Sequence, residues 1–356
     1  MNELKKLDRE FTTFVEKNLL NEPYTFLIPT NKEEEEERFY EYFFDKKKYE
    51  PQFSYNQTNV EEYLIKLDYF HFEFLKIKNK YLRNLYLKKI KELSYFVRLI
   101  ENCSQKDFSK ISIKAYGRPN LFIFIIAKFV TYFRNEITHR RIMSEEDIKF
   151  LFNDYCFQND LKGWKLRFSK SIFSIAFIIC SKKKLFFNKN LKYTEQDVIR
   201  LLRHELGTHA KRYMNGNEIS GLFSLGLSRY DELEEGLATF SEDGLKNFFD
   251  VGYLPALKYL AVFYALKYDF TETFRRIYSI AQNRKMAFDI VLRAKRGTYN
   301  NSGAYTKDYL YFSGYVKVIL LSFFNKRILK DALIGKIAFS NLKEINKINN
   351  LKSYYE

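Results

Sequence analysis

Cysteine, proline and tryptophan are scarce in this chain of 356 residues, which contains three Cys, five Pro and one Trp. The cysteines, Cys103, Cys156 and Cys180, are scattered and odd in number. They therefore predict neither a disulfide framework nor a four-cysteine metal site, and we interpret them as core residues. Apolar residues make up 46% of the chain, which is enough for a buried core.

Long apolar runs are also missing. The longest, such as residues 121–127, 175–180 and 259–266, fall far short of the about 20 residues that a membrane-spanning helix needs. Charged residues recur through the first eight positions, which lack the apolar segment of a signal peptide. The sequence thus predicts a globular cytoplasmic protein without a membrane span.

Charge is strongly unbalanced, with a formal net charge of +16. A basic surface attracts acidic partners, including nucleic acid or an acidic peptide. Biased genomic composition also produces such lysine-rich sequences, and this alternative stays open. The lysine runs at 46–48 and 182–184 are short, and no nucleic-acid-binding motif accompanies them.

Histidine is rare too, yet two of the four histidines lie in one short segment, Arg203-His204-Glu205-Leu206-Gly207-Thr208-His209. Neutral imidazoles bind Zn²⁺, and an adjacent carboxylate can take the proton of the metal-activated water. The segment predicts a catalytic zinc site, although such strings also arise by chance. We interpret the other two, His71 and His139, as structural residues.

The two histidines are five residues apart, whereas the common zinc-protease motif separates them by four. A regular α-helix would rotate the second imidazole about 140° away from the first. Both rings can reach one ion only if the turn widens, as in a π-bulge. Gly207 lies at this point and lacks the side chain that would resist the distortion.

A catalytic zinc keeps three protein ligands and one open position, so a third ligand is needed. Residues 231–240 offer acidic side chains on a second predicted helix, and the glycines and Asn215 between the two helices allow the chain to reverse. The alternative is an ordinary amphipathic helix with a solvated acidic face.

At these residues the chain resembles the family known for a Gln-Glu-Gly-Leu-Ala motif. Its bacterial members are described as flavohemoglobin expression-modulating proteins, and its animal members include the microtubule-associated tyrosine carboxypeptidases. The segment 204–209 is similar to the family's zinc helix, and 234–238 to its second motif, with Glu234 where many bacterial members carry Gln. Residues 293–297 with 305–314, and residues 51–55, resemble its flanking signatures.

The resemblance implies His204, His209 and Glu235 as zinc ligands and Glu205 as the general base. It also implies peptide hydrolysis, and an acidic protein tail as substrate would suit the basic chain. Glu242, seven residues after Glu235 and therefore on the same helical face, could orient a ligand imidazole, but an exposed acid is equally ordinary at this position.

The fold class predicted is α+β and mainly helical, with a helical region at 1–135 and a gluzincin-like zinc metallopeptidase domain at 136–356. Thr30-Asn31 reads as a helix cap, and apolar periodicity from about 60 to 101 predicts one helix face. Strands are predicted at 164–168, 171–180 and 184–187. A capping box at Thr194–Asp197 then opens the zinc helix.

Helices are predicted after the second motif at 255–267, 271–282, 285–296 and 306–324. Arg293 and Arg296 are three residues apart on the third of these, where a guanidinium could hold a substrate's C-terminal carboxylate. The alternative is an ion pair with Asp289 or solvent contact. Lys307 and Tyr311 are weaker candidates for stabilising the oxyanion, and only the resemblance singles them out.

The function predicted is zinc-dependent hydrolysis of peptide bonds, with the pair of arginines favouring a carboxypeptidase. Two alternatives stay open: a non-enzymatic regulatory protein, and a nucleic-acid-binding protein with a metal site. An intact base argues against the first, and a structural zinc normally has four protein ligands, which argues against the second.

Overall fold

The computed structural model describes residues 3–20, 25–133, 142–170, 172, 174–243, 247–324 and 326–355. Over this part of the chain the fold is predominantly helical and includes one small sheet of three strands, as the sequence predicted. No helix in the described ranges is both long and apolar enough to cross a membrane. The finer likeness to gluzincins stays a prediction.

The α-helices of the described residues are, in chain order, α1 (Glu3–Asn18), α2 (Lys32–Phe44), α3 (Glu61–Leu75), α4 (Lys80–Glu101), α5 (Phe108–Tyr116), α6 (Leu121–Tyr132), α7 (Glu145–Gln158), α8 (Glu195–His204), α9 (Lys211–Asn217), α10 (Gly221–Leu225), α11 (Asp231–Asp243), α12 (Phe248–Ala265), α13 (Phe270–Ala281), α14 (Arg284–Lys295), α15 (Tyr309–Phe324), α16 (Lys326–Asp331) and α17 (Ile345–Asn349). A π-helical segment, Glu205–Ala210, joins α8 to α9.

The sheet contains β1 (Lys165–Ser169), β2 (Ala176–Ile179) and β3 (Lys184–Asn188), in the order β1-β3-β2. The central strand β3 pairs in parallel with β1 and antiparallel with β2. All three strands fall within predicted segments or one residue beyond them. The edge strand β2 contacts the π-helical segment, so the sheet lies beside the region that carries the histidine motif.

The chain forms two compact units, and each is built from separated stretches. The first unit contains Met1–Glu16, Asn135–Val251 and Lys317–Glu356, and the second contains Lys17–Arg134 and Gly252–Val316. The predicted regions 1–135 and 136–356 are each continuous in sequence, whereas each unit combines separated stretches, so the two divisions do not correspond. That functional division stays a prediction.

The core of the first unit joins the sheet to α8 and to the π-helical segment. Leu185 and Phe187 on β3 pack in one cluster with Val198 and Leu202 on α8 and with Leu206 in the π-helical segment. Cys156 and Cys180 are partly buried against this cluster. Burial raises the pKa of Cys180 to about 12, so its thiol stays protonated near neutral pH.

The second unit has a core rich in aromatic rings. Phe39 of α2 lies edge-on to Phe270 and Phe274 of α13, with ring centroids 5.1 and 4.8 Å apart, and its ring is tilted against Phe288 of α14. Aromatic pairs in this geometry contribute about 0.5–1.5 kcal/mol each beyond the area they bury. These contacts hold α2 to the C-terminal helices of the same unit.

Two helix predictions in the second unit need correction. The periodic stretch from about 60 to 101 forms two helices, because the chain breaks after Leu75 and Asn79 caps α4 through its side chain. Asn31 precedes α2 as predicted, but its side chain makes no capping bond. Instead it binds the main chain of Gln52 and Ser54, a contact between distant segments that local sequence does not reveal.

The helices predicted after the second motif are present, with ends that shift by up to seven residues. The largest shift is in α12, which begins at Phe248 and contains Pro255, where the prediction placed the helix start. The shift that matters for function is in α14, which ends at Lys295. Arg296 has an extended conformation (ψ 139°) and lies outside the helix that the sequence assigned to it.

Candidate metal centre

Helix α8, for which the sequence predicted a zinc site, begins and widens where the sequence predicted. Thr194 caps α8, and the capping box is complete because Asp197 Oδ2 accepts from the Thr194 main-chain N at 2.9 Å. After His204 the helix changes to π-helical geometry over six residues. The extra residue in the turn compensates for the five-residue spacing, and the rings of His204 and His209 lie 5.0 Å apart between centroids.

Gly207 lies in the middle of the π-helical segment. A Cβ atom at this position would be 2.7 Å from Tyr155 Oη, a side chain of α7 in the same unit. The prediction that this residue must be small at the distortion is therefore supported by a second reason. A substitution would have to displace the Tyr155 hydroxyl group.

The third predicted ligand, Glu235, comes from α11. Its Oε2 atom lies 3.8 Å from His204 Nε2 and 3.9 Å from His209 Nε2. The three side chains offer ligand atoms within 4.8 Å of one another. They are partly buried, with side-chain exposures of 15, 12 and 13% for His204, His209 and Glu235. The structure thus brings the three residues together at one point.

The arrangement fits a tetrahedral metal. Zinc–ligand bonds of about 2.0–2.1 Å place neighbouring donors roughly 3.4 Å apart. The observed carboxylate–imidazole separations of 3.8 and 3.9 Å exceed this by about 0.5 Å, and no two ligand atoms are more than 4.8 Å apart, so rotations of the side chains would bring the three donors around one ion. Two imidazoles and one carboxylate are also the donor set of a catalytic zinc, which leaves a fourth position for another ligand.

Each imidazole is oriented by a second carboxylate. His204 Nδ1 lies 2.8 Å from Glu242 Oε1, and His209 Nδ1 lies 2.8 Å from Glu234 Oε1. Metal-binding histidines in proteins almost always donate their other ring N–H in this manner, which fixes the tautomer and directs Nε2 to the ion. Of the two roles left open for Glu242 by the sequence, the structure favours the orienting one.

The carboxylates around His204 also change its affinity for protons. Burial on its own lowers the pKa of the ring, but the hydrogen bond to Glu242 and the nearby charges of Glu205 and Glu235 raise the pKa to about 9. The centre therefore favours a positive charge at this point, whether a proton or a metal ion. Binding of a metal has to displace that proton.

Glu234, the hydrogen-bond partner of His209 Nδ1, belongs to a buried network of charged side chains that the sequence did not predict. Glu234 is 3% exposed in its side chain and is contacted by the Nη1 atom of Arg212 and, at 3.6 Å, by Lys336 Nζ. Burial would raise the pKa of Glu234, but these two cations hold it well below the usual value. Glu234 therefore stays a carboxylate and can accept the hydrogen bond of His209.

Arg212 is completely buried and connects this network to the main chain of residues 332–337. Its Nε donates to the carbonyl oxygens of Ala332 and Gly335 at 3.0 and 2.9 Å, and its Nη2 donates to Ile337 O at 2.8 Å. A faint sequence signal existed, because Arg212 follows His209 by three residues and such positions are neighbours on a helix. The partner segment could not be predicted.

Glu205, the predicted general base, is 8% exposed and lies within the π-helical segment between the two histidines. Burial raises the pKa of its carboxyl group above the usual value, while the positive charge of the imidazoles opposes the shift. A raised pKa suits a group that must accept a proton and then return it.

The predicted substrate-binding residues all belong to the second unit. Arg293 binds Asp308 through two hydrogen bonds, from Nε at 2.6 Å and from Nη2 at 3.0 Å, and Arg296 Nη2 lies 3.9 Å from the same carboxylate. The anticipated alternative partner, Asp289, pairs instead with Lys32 and Lys285. Both arginines thus contact the carboxylate of Asp308. Their predicted binding of a substrate stays a prediction.

Lys307 and Tyr311 lie close to other aromatic or basic side chains of the second unit. Lys307 is 8% exposed, and its Nζ lies 5.8 Å from the centre of the Tyr116 ring. The ring of Tyr311 faces Lys258 Nζ at 4.8 Å. Their predicted role in binding stays a prediction. His71 is partly buried on α3, and His139 lies outside the described residues.

Comparison with known proteins gives a consistent assignment. The family described as microtubule-associated tyrosine carboxypeptidase matches residues 40–352. The human microtubule-associated tyrosine carboxypeptidase 1 is 29% identical over 126 residues, which cover 33% of this chain and 26% of that protein. The human putative tyrosine carboxypeptidase MATCAP2 is 30% identical over 131 residues, which cover 33% and 24%.

A mouse relative, also named putative tyrosine carboxypeptidase MATCAP2, is 29% identical over 167 residues, which cover 43% of this chain and 31% of that protein. The chain thus spans about a quarter to a third of the length of these curated relatives. The family match is much longer than the pairwise matches and includes the histidine motif, α11 and the pair of arginines. Because it covers most of the sequence, the chain belongs to the microtubule-associated tyrosine carboxypeptidase family.

Proposed function

We propose that this protein is a zinc-dependent carboxypeptidase that removes residues from the C-terminus of a protein or peptide. The observation that carries the proposal is the convergence of His204, His209 and Glu235, whose ligand atoms lie within 4.8 Å of one another. Membership of a family whose relatives are named tyrosine carboxypeptidases supports the choice of reaction and of the chain end attacked.

The three side chains would hold the ion through Nε2, Nε2 and Oε2, since both Nδ1 atoms are engaged by carboxylates. When bound, zinc would act as a Lewis acid, which lowers the pKa of a water molecule and polarises the scissile carbonyl. Glu234 and Glu242 hold the two imidazoles in the orientation that ligation requires. Their hydrogen bonds also increase the basicity of the rings.

Glu205 performs the proton transfers. Its carboxylate accepts a proton from the attacking water and later delivers this proton to the nitrogen of the departing amine. Burial beside the histidines keeps the carboxyl group away from bulk solvent and raises its pKa, which favours the return step. The edge strand β2, next to the π-helical segment, offers main-chain groups that can pair with an extended substrate.

The residue that binds the C-terminal carboxylate of the substrate is assigned from its charge and its contacts. A carboxypeptidase must bind a terminal carboxylate, and an arginine fork suits this group. Asp308 already engages the Nε and Nη2 atoms of Arg293, at 2.6 and 3.0 Å. Because a substrate carboxylate would need the same guanidinium nitrogens, we assign the carboxylate-binding role to Arg296. The net charge of +16 favours an acidic peptide next to the cleaved residue.

The test is digestion of a peptide library with mass spectrometry as the readout. The library contains acidic peptides that end in tyrosine or in other residues, together with versions whose C-terminus is amidated. The proposal expects loss of single C-terminal residues that depends on zinc, and no cleavage of amidated peptides. Internal cuts would make the enzyme an endopeptidase, and a zinc-loaded protein that cleaves nothing would favour a regulatory role.

A further inference from the structure

Helix α6 exposes a large apolar face to solvent. Positions 121, 122, 125, 129 and 132 fall within about 100° of one another around the helix axis. Their side chains are exposed by 53% or more, and the adjacent residue 133 by 45%. The residues of this α6 face are Leu121, Phe122, Ile125, Phe129, Tyr132 and Phe133.

The opposite side of the same helix is also apolar and is buried in the second unit. Ile123, Ala127 and Val130 are at most 4% exposed, so packing in the core fixes the direction in which the α6 face points. Asn120 caps the helix, and its main-chain N and O both contact Tyr259 Oη at 2.7 Å. The exposed residues therefore belong to a firmly anchored element.

The exposed apolar area is unusually large for a surface. Fully buried aromatic side chains cover about 150–250 Å² each, so the α6 face exposes on the order of 700 Å². Monomeric proteins rarely expose contiguous apolar patches above about 300–600 Å², and larger patches mark sites of interaction. Three of the six side chains are Phe and one is Leu, residue types that form the buried face of helices lying in a membrane interface, and Tyr132 belongs to a type enriched at that interface.

Charge indicates what kind of surface would cover this face. Residues 108–134 contain five Lys or Arg and no Asp or Glu, and one of the five, Lys110, pairs with Asp107 immediately before this stretch. Lys128 lies at the border of the α6 face, and Lys114 and Arg118 precede the helix; all three are exposed. The stretch is thus apolar and purely cationic, as in helices that bind anionic lipid surfaces.

We propose that α6 docks the protein on an anionic membrane surface, with the helix lying in the plane of the interface. Its 12 residues extend about 18 Å, too short to span a bilayer but suitable for inserting one face among the lipid headgroups. A second copy of the chain is a poorer occupant. A twofold contact would bring the same cationic residues of both copies towards each other, whereas anionic headgroups neutralise them.

Binding is tested by sedimentation of the full chain with vesicles. One set contains phosphatidylcholine alone and the other phosphatidylcholine with phosphatidylserine. We expect binding to the vesicles that contain phosphatidylserine, weakened by salt. A Phe122→Trp variant reports insertion, because its emission shifts to the blue when the side chain enters the lipid, against the constant background of the buried Trp164.

Two variants and two matched controls separate the causes. Phe122→Ser with Phe129→Ser removes apolar contact, and Arg118→Glu with Lys128→Glu reverses charge. The controls make the same changes elsewhere, at Phe150 and Phe157 on α7 and at Lys88 and Lys91 on α4, all exposed. We expect the α6 variants to lower the partition coefficient at least about tenfold and the controls to leave it within about twofold.

Equal loss in control and α6 variants would overturn the proposal, as would the absence of vesicle binding. A concentration-dependent dimer in analytical ultracentrifugation that Phe122→Ser with Phe129→Ser abolishes, without vesicle binding, would assign the face to a second copy. Retention of the vesicle-binding difference in the Glu205→Gln variant keeps this result separate from the proposed peptidase activity.

Discussion

The Nδ1 atom of His209 lies 2.8 Å from Oε1 of Glu234, the residue immediately before the proposed ligand Glu235. Two adjacent carboxylates of α11 thus contact the two sides of one imidazole: Glu234 orients the ring, and Glu235 lies 3.9 Å from its Nε2 atom. Neighbouring residues on a helix point about 100° apart, so a ring placed between them can meet both.

The first prediction concerns the general base. Glu205→Gln should keep zinc bound, because Glu205 is not among the three ligands, and should lower kcat by about 10²–10⁴-fold through loss of proton transfer. Metal analysis and peptide hydrolysis measure the two effects. Glu195→Gln, an exposed change at the start of the same helix, is the control. Activity that persisted in Glu205→Gln would remove this residue from its role.

The second prediction concerns Glu242. Glu242→Gln should weaken zinc binding by about 10–100-fold, because the charged acceptor of the His204 Nδ1–H is lost. Its side chain is 24% exposed, so the change should affect stability little. Competition with a chromophoric chelator measures the affinity. Glu232→Gln on the same helix, whose side chain binds Lys317, should leave zinc affinity unchanged.

The third prediction concerns the buried Arg212. Arg212→Met should destabilise the protein by about 3–5 kcal/mol, because it removes the closer of the two cations that contact the buried Glu234 carboxylate and leaves Lys336 and the hydrogen bond of His209. Denaturant unfolding of the chelator-treated protein measures this cost. The pair of Arg275 and Glu272 offers a contrast, since the Arg275 side chain is 61% exposed and Arg275→Met should cost less than about 1 kcal/mol. Similar costs for both changes would contradict the proposed buried network.

The fourth prediction concerns acid stability of the second unit. Burial would raise the pKa of Asp308, but Arg293 and Arg296 hold it well below the usual value. Because the folded pKa is lower than the unfolded pKa of about 3.9, the pair stabilises the protein above that pH and loses its effect as pH falls through the folded pKa. Asp308→Asn should therefore cost about 2–3 kcal/mol at neutral pH, less than a fully buried pair because the Arg293 side chain is 31% exposed.

This cost should shrink as the pH falls below about 4, because Asp308 of the unfolded chain then takes up a proton that the folded chain does not bind until a lower pH. Denaturant titrations of both proteins at several pH values measure the difference. A difference that stays constant between neutral and strongly acidic pH would show that the charge of Asp308 is not what stabilises the fold.

The fifth prediction separates the two arginines. Arg296→Ala should raise KM for peptides with a free C-terminus and lower kcat/KM about 10–100-fold, the effect of losing a charged hydrogen bond of about 1.5–3 kcal/mol. Arg293→Ala should act mainly on stability through the loss of the Asp308 pair. Kinetics with free and amidated peptides, together with unfolding curves, distinguish the roles. Equal loss on both peptide types would argue against carboxylate binding by Arg296.

The widened turn shows how far local sequence can lead. The five-residue spacing of His204 and His209 predicted a π-bulge on the condition that both imidazoles reach one ion, and the structure has π-helical residues from Glu205 to Ala210. The capping box at Thr194 was also readable, because both partners lie within four residues. These features depend on contacts close in sequence, so the chain encodes them locally.

Other features depend on distant partners. The guanidinium of Arg212 binds the carbonyl oxygens of residues 332, 335 and 337, more than a hundred residues away. The sequence around Arg212 does not indicate these partners. Arg296 was placed on a helix by its spacing from Arg293, yet the chain leaves the helix after Lys295. Asp308, whose carboxylate contacts both arginines, lies outside the helix that the sequence predicted for them, so their spacing does not reveal it as a partner.

The sequence by itself determined the chemistry offered: two histidines and a carboxylate in one widened turn, with more carboxylates on a second helix. It also determined the mainly helical fold, because apolar periodicity and caps act over a few residues. Only the tertiary structure decided which carboxylate meets which nitrogen. Glu234 and Glu235 are adjacent in sequence and identical in type, and the packing of α11 against the π-helical segment, together with the buried cations behind it, gives them different partners.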